Sequence, residues 1–332
     1  MNYLVIGLGS MGKRRIRNLI ANGEKDIYGF DIRKDRIEES IEKYGIKTFS
    51  DFEEANLKIK FDAFIISVPP DLHMKYAHYA IDSDINMFIE ASVTSENMEE
   101  LIIKSEKKSN IKICPSATLL FHPAVKLIKK LITDNTVGKV SNFSYHSGQY
   151  LPDWHPWEDV NDFYVSNPVT GGCREIVPFE MAWLNDIFGE VESIKGFKDK
   201  TVDVGTDIDD TYTAVIKYKK GILGTLLVDI VARNAVRNII INGSSGQILW
   251  DWNKSEVKLY DSIERRWIIY KDPAGKVEAG YNQNIIEEMY IEEIHEFISS
   301  IKGEKRFRNS LKKDYELLQL LYKMEESCDR NE

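Results

Sequence analysis

The sequence predicts an α/β chain: a doubly wound parallel sheet in its N-terminal part, then an α+β part with a large open, mainly antiparallel sheet. Strand-like and helix-like segments alternate through the first 120 residues, and the apolar period switches to two between about residues 191 and 270. The length of 332 residues suits about two domains, with a boundary expected near residue 120, giving 1–120 and 121–332.

The first segment, Tyr3 to Ile6, is an apolar strand. It runs straight into Gly7-Leu8-Gly9-Ser10-Met11-Gly12. A helix follows, with Gly12, Ile16, Leu19 and Ile20 on one face. Strand, G-x-G-x-x-G turn and helix in that order are the dinucleotide-binding (Rossmann) fingerprint. Gly7 allows the tight turn, Gly9 allows close backbone approach to a pyrophosphate, and Gly12 allows the helix to lie near the sheet. The unpaired N–H groups of that helix then face the phosphates. The next strand, Asp26 to Asp31, ends in an acid 19 residues after Gly12. A carboxylate there accepts hydrogen bonds from a ribose 2′-OH and repels a 2′-phosphate, so NAD is expected over NADP. Arg33, two residues on, pulls the other way, because arginine pairs phosphate. Ile32 lies between them on the same predicted cofactor edge.

A helix from about Asp35 carries Ile37, Ile41 and Tyr44. Phe61 to Val68 reads as a strand buried on both faces, stopped by Pro69-Pro70. Asp71 is placed to cap a helix striped by Met74, Ala77, His78 and Ile81. Asn86 to Ala91 and Ile111 to Cys114 read as further strands, separated by a helix that begins with Met98, Leu101 and Ile102. After Pro123 a helix with Val125, Ile128 and Ile132 leads to a long strand over Lys139 to Leu151. Residues 153–170 are irregular and aromatic, and a helix is expected from about Val177 to Phe188. Tyr212, Ala214, Ile216 and Tyr218 then alternate with polar or smaller neighbours, and Lys219-Lys220-Gly221 and Gly243-Ser244-Ser245-Gly246 read as hairpin turns. Two helices close the chain, striped by Ile294, Phe297, Ile298 and Ile301 and by Leu317, Leu318, Leu321 and Met324.

A net charge of −9 and a pI near 5.4 argue against a nucleic-acid partner. Cys114, Cys173 and Cys328 are widely spaced and form no metal or redox motif, and the six histidines show no ligand spacing, so no metal is expected. No run approaches the ~20 apolar residues of a membrane span. A chain that opens on its first strand leaves no room for an ordinary secretory signal, and a cytoplasmic location is expected.

The whole chain resembles the glucose–fructose oxidoreductase / inositol dehydrogenase (Gfo/Idh/MocA) family of NAD(P)-dependent sugar oxidoreductases. Ser67-Val68-Pro69-Pro70-Asp71-Leu72-His73 is similar to the family's turn beside the cofactor, and Phe121-His122-Pro123 to its crossover into the second domain. Leu151-Pro152-Asp153-Trp154, with Gly171-Gly172 downstream, resembles a branch associated with surface-polysaccharide sugars. The resemblance implies cofactor contacts at Ser67, Pro69, His73 and Glu90, and a homo-oligomer (dimer or tetramer) formed through the open sheet. It also exposes departures. The family's Glu-Lys-Pro is Glu90-Ala91-Ser92 here, so the proton-moving lysine is replaced by Ala91. On the helix after the double glycine, Ile176 falls where the family has an acid and Phe179 where it has a histidine.

Oxidation of a carbinol still needs a group to take the hydroxyl proton. The candidates are His155, Glu175 and Glu180, with Tyr150, Trp154, Trp157 and Arg174 as substrate-binding groups. An unperturbed histidine titrates at about 6.5, which suits a general base, so His155 is named for that role. The tryptophans form an apolar wall for a sugar ring, and Arg174 either forks onto an anionic substrate group or pairs a nearby glutamate. Glu175 and Glu180, five apart, project ~140° apart on an ideal helix and do not face one another there. Two readings follow: a sugar or nucleotide-sugar dehydrogenase with a non-standard proton relay, or a dinucleotide-binding sensor or pathway partner without redox turnover. The polar and aromatic stretch from Tyr150 to Asp159 favours the first; Ala91 and Phe179 favour the second.

Overall fold

The computed structural model describes residues 1–154, 159–162, 164–273, 275 and 286–329, which form two compact units. The first comprises Met1–Thr118 and Glu288–Glu316; the second comprises Leu119–Glu287 and Leu317–Glu332. Segment 288–316 thus belongs with the N-terminal strands, although the chain reaches it only after the whole antiparallel sheet.

In the first unit six parallel strands lie in the order β3-β2-β1-β4-β5-β6. They are β1 (Tyr3–Ile6), β2 (Ile27–Phe30), β3 (Lys47–Phe49), β4 (Ala63–Ile66), β5 (Asn86–Ile89) and β6 (Ile113–Pro115). Between them run α1 (Ser10–Ala21), α2 (Lys34–Tyr44), α3 (Phe52–Lys58), α4 (His73–Asp82) and α5 (Met98–Lys107). The order reverses between β1 and β4, which makes the crevice at the carboxyl ends of those strands the expected ligand position. β1 and β4 are wholly buried, as their unbroken apolar runs require of central parallel strands. Sequence periodicity misses β3 and α3, both short. It also overrates α2, whose Ile41 is exposed and whose one buried residue is Ser40.

The second unit begins with α6 (Pro123–Thr133), capped by His122, whose Nδ1 accepts from the Ala124 N–H at 3.2 Å. Its eight-stranded sheet is ordered β14-β13-β12-β11-β7-β10-β9-β8. The strands are β7 (Val140–Tyr150), β8 (Val191–Asp199), β9 (Thr211–Tyr218), β10 (Leu223–Asp229), β11 (Val231–Gly243), β12 (Gly246–Asp251), β13 (Glu256–Asp261) and β14 (Arg266–Lys271). Every pairing is antiparallel except β7 with β10, so the sheet is mixed but mainly antiparallel as expected. One face packs on α7 (Cys173–Phe188), with Phe143 stacked on Phe188 at 4.3 Å and Trp183 edge-on to Tyr145 and Trp250. The other face carries exposed Val215, Leu223, Ile240 and Ile269.

The helix α7 starts one turn before the sequence reading places it. Pro178 suggests a start near Val177, but the helix runs through it from Cys173, with Gly172 at φ +61° as its N-cap. That shift puts Glu175 in the first helical turn. The chain ends in α8 (Glu287–Ile301) and α9 (Leu311–Asp329). No helix among the described residues is long and apolar enough to cross a membrane.

Candidate functional site

The glycine turn between β1 and α1 is built as the fingerprint requires. Gly7 sits at φ +91°, and a Cβ there would lie 2.7 Å from the Ser67 carbonyl oxygen. A Cβ on Gly12 would lie 1.8 Å from the Gly7 carbonyl oxygen, so α1 closes directly onto the turn. Gly9 differs. It is the α1 N-cap at φ −70°, and a Cβ there would meet nothing nearer than the Arg36 guanidinium at 3.5 Å. The fold needs Gly7 and Gly12 for its own packing; Gly9 leaves space at the helix end without such a need. No acidic side chain stands in the first turn of α1, which suits an anion at its N-terminus.

Asp31, at the carboxyl end of β2, is 5 % exposed and turned back onto this turn. Its Oδ2 accepts the Leu8 N–H at 2.7 Å and its Oδ1 the Arg33 N–H at 2.8 Å. Arg36 approaches Oδ2 at 3.7 Å. Arg33 instead forks onto Asp35, while Ile32 is almost fully exposed. Ser10 and Met11 lie half-buried in the first turn of α1, with Met11 Sδ 3.6 Å from an Arg14 nitrogen. Ser67, after β4, donates to Glu90 at 3.4 Å. Pro69 caps the short 3-10 turn Pro70–Leu72. His73 Nε2 lies 2.9 Å from the Val68 carbonyl oxygen, and burial pushes the ring's pKa down, so a neutral imidazole pins this turn. Glu90, after β5, is gripped by Arg15, whose guanidinium donates to both its oxygens. The turn, Asp31, Ser67 and Glu90 all stand at the carboxyl ends of parallel strands, the arrangement a dinucleotide needs: room at Gly9, N–H donors on α1 and an acceptor at Asp31.

The acid–base candidates separate sharply in the second unit. Glu180 is not available for proton transfer. It is 0 % exposed, and its two oxygens accept from Arg237 (2.6 and 3.0 Å), Ser147 (2.9 Å), Tyr145 (2.5 Å) and Trp183 (3.0 Å). A buried arginine beneath the sheet needs a carboxylate partner, and Glu180 serves it. Arg174 is likewise engaged: its Nε donates to Glu325 at 2.8 Å, and another nitrogen donates to the Val169 carbonyl. Its partner is thus on α9, not Glu175 or Glu180.

Glu175 is different. Its Oε1 accepts the Tyr164 hydroxyl at 2.9 Å, while its Oε2 is out of solvent and has no hydrogen-bond partner among the described residues. Burial raises the carboxyl pKa to about 7, against a smaller lowering by Tyr164. Tyr150, at the end of β7, lies face-on beneath Arg233 at 3.6 Å. Trp154 has a buried Nε1 without a partner among the described residues. His155 and Trp157 lie outside the described residues. Cys173 is buried and donates to the Asp210 carbonyl, a packing role as its lack of a neighbouring base suggests.

Three groups were not legible beforehand. Tyr164 sits in the irregular stretch with no periodic signal. Glu293, on α8, meets Arg15 only because 288–316 returns to the first unit. His146 on β7 pairs Asp229 on β10 at 2.6 Å, across a parallel pairing that alternation alone does not reveal. Among the described residues no cluster of metal-ligating side chains occurs.

The NAD-binding Rossmann-fold model of the GFO/IDH/MocA oxidoreductases matches residues 1–114, and the C-terminal-domain model of the same group matches residues 125–249. Oxidoreductase P35 of Formosa agariphila is 23% identical over 201 residues, covering 59% of this chain; the chain spans 63% of that curated relative's length. Among solved structures, an oxidoreductase from Agrobacterium radiobacter in complex with NAD+, L-tartaric acid and magnesium superposes with a TM-score of 0.87 at 12% identity, covering 100% of this chain and 97% of that one. Levoglucosan dehydrogenase in complex with NADH and L-sorbose gives 0.84 at 18% identity, covering 99% and 97%. At such identities the two structures show a shared fold.

Proposed function

Since this chain belongs to the GFO/IDH/MocA family of NAD-binding oxidoreductases, we propose that it moves a hydride between nicotinamide and a hydroxyl-bearing carbon of a sugar or nucleotide-sugar, with Glu175 as the acid–base group. When bound, the dinucleotide supplies the hydride acceptor or donor. The chain's own residues do the rest. The glycine turn and the N-terminus of α1 hold the diphosphate, and Asp31 holds the adenosine ribose and disfavours NADP. Glu175, with one oxygen that has no partner among the described residues and a pKa of about 7, takes the proton from the substrate hydroxyl in oxidation and returns it in reduction. Tyr164 fixes that carboxyl, and Tyr150 and Trp154 supply apolar surface for a sugar ring. His155 stays a candidate for the same proton.

The observation that carries this reading is the Glu175 carboxyl: desolvated, half-satisfied and tuned to the pH at which a general base works best. Purified protein given NAD+ and a panel of sugars and nucleotide-sugars is expected to develop absorbance at 340 nm. With an active substrate, kcat/KM for oxidation is expected to rise with pH through about 7 and level off above it. Glu175→Gln is expected to abolish that limb and cost roughly 10²–10⁴ in rate. An unchanged profile in Glu175→Gln, with His155→Ala losing it, would move the role to His155.

A second reading, a dinucleotide-binding sensor or pathway partner without turnover, is favoured by Ala91, which leaves no lysine beside Glu90. Tight coenzyme binding with no turnover across the panel would select it. We also place a second copy of the chain against the outer sheet face that carries Val215, Leu223, Ile240 and Ile269, giving a dimer or tetramer. Cys114, Cys173 and Cys328, which form no disulfide among the described residues, fit the cytoplasm.

A further inference from the structure

Arg15 is the most deeply committed charge in the first unit. Its side chain is 0 % exposed. Its Nε and one terminal nitrogen fork onto the two oxygens of Glu90 at 2.6 and 2.9 Å. Its other terminal nitrogen lies 3.0 Å from Glu293 Oε2. The guanidinium stacks over Phe88 at 4.5 Å and near Tyr290 at 5.4 Å. One buried cation therefore meets two carboxylates.

Glu293 is itself 0 % exposed. It accepts from Ser116 Oγ (3.1 Å), the Ala117 N–H (2.7 Å) and Thr118 Oγ1 (2.7 Å), so three donors hold it as an acceptor, with the Arg15 guanidinium beside it as an ion-pair partner. Burial raises its pKa and Arg15 opposes the rise. Had Arg15 met Glu90 alone, the two would form a neutral pair. With Glu293 behind it, the formal count of these three groups is two carboxylates against one guanidinium. Its one member with solvent access is Glu90, 13 % exposed, at the carboxyl end of β5. In a doubly wound sheet the crevice over β4 and β5 belongs to the second nucleotide half, the one bearing the nicotinamide.

We infer that Arg15 and Glu293 are positioning residues that leave a net negative charge at Glu90, at the nicotinamide half of the crevice, so that the protein binds the oxidised coenzyme, whose nicotinamide ring is cationic, in preference to the reduced one, whose ring is neutral. The inference rests on the coenzyme reading above. It also gives the Glu90-Ala91-Ser92 departure a physical sense: with no lysine at Ala91, the one ion-pair partner of Glu90 among the described residues is Arg15, on its buried side.

The decisive variant is Glu293→Gln. Residue 293 is fully buried and cannot touch coenzyme, yet the change removes one of the two carboxylates and keeps an oxygen for the hydrogen bonds. Dissociation constants for NAD+ and NADH are measured by calorimetry on wild-type protein, Glu293→Gln, Glu90→Gln and Arg15→Lys, with Tm recorded for each. The ratio Kd(NADH)/Kd(NAD+) is expected to fall by about tenfold in Glu90→Gln and severalfold in Glu293→Gln. A tenfold fall corresponds to a rise of about 30 mV in the midpoint potential of the bound two-electron couple. Arg15→Lys keeps the charge but loses the planar fork, and its ratio is expected to move part of the way. A purely structural network would change Tm and scale both constants together, leaving the ratio fixed. A wild-type ratio in folded Glu293→Gln and Glu90→Gln would overturn the inference. Absence of saturable binding of either coenzyme to wild-type protein would overturn the reading beneath it, and the inference with it.

Discussion

Asp31 shows how a single side chain serves the fold and the ligand at once. Each of its oxygens already accepts one backbone N–H, from Leu8 and from Arg33, and each has a second lone pair left for a ribose hydroxyl. Asp31→Ala is expected to weaken NAD binding by about tenfold or more and NADP binding by less, because it removes an acceptor for the first and a repulsion for the second. Equal losses, measured by titration, would contradict the ribose assignment. Glu175 carries a linked stability cost. Its folded pKa of about 7 lies above its ordinary value of 4.5, so the folded state holds the proton more tightly than the unfolded one. Its contribution to stability is therefore full in mild acid and is lost as pH rises from about 4.5 through about 7. Glu175→Gln should accordingly raise Tm at pH 8 and change it little at pH 4.5. Glu175 and Glu180 look alike in the sequence. What separates them is three-dimensional: α7 turns Glu180 to Arg237 and Tyr145 beneath the sheet and Glu175 to Tyr164.

At the scale of elements, the parts with strong local signals are the ones sequence pattern places well. β1, β4 and the glycine turn follow from unbroken apolar runs and from glycines that sterics demand. β3 and α3 have three and seven residues, too few for a period to register, and only the pairing of β3 with β2 gives β3 its place. The start of α7 is misjudged because Pro178 looks like a helix beginning, whereas Gly172 at φ +61° makes the real one. The same logic sets apart two glycines of one motif. Gly12→Ala puts a methyl 1.8 Å from a backbone oxygen of the turn, so α1 must shift and a marked loss of Tm is expected. A Gly12→Ala variant as stable as wild type would show that α1 does not lie on the turn in this way.

At the scale of the molecule, the return of 288–316 to the first unit is the feature least visible in the sequence. The stripe Ile294, Phe297, Ile298, Ile301 announces a helix but not its partner. In the structure Phe297 and Phe307 pack edge-on to Phe88, and Glu293 meets Arg15. Contacts between residues more than 200 positions apart follow from the completed fold and leave no local trace. The central claim, that a nicotinamide dinucleotide lies with its diphosphate over the N-terminus of α1, rests on the one turn glycine that packing does not require. Calorimetric titration of NAD+ into wild-type protein and Gly9→Ala, at matched Tm, tests it most directly. Saturable binding to wild type, with at least a tenfold loss in a Gly9→Ala variant of unchanged stability, is the result predicted; no saturation with wild type, or equal affinity in the variant, would contradict it.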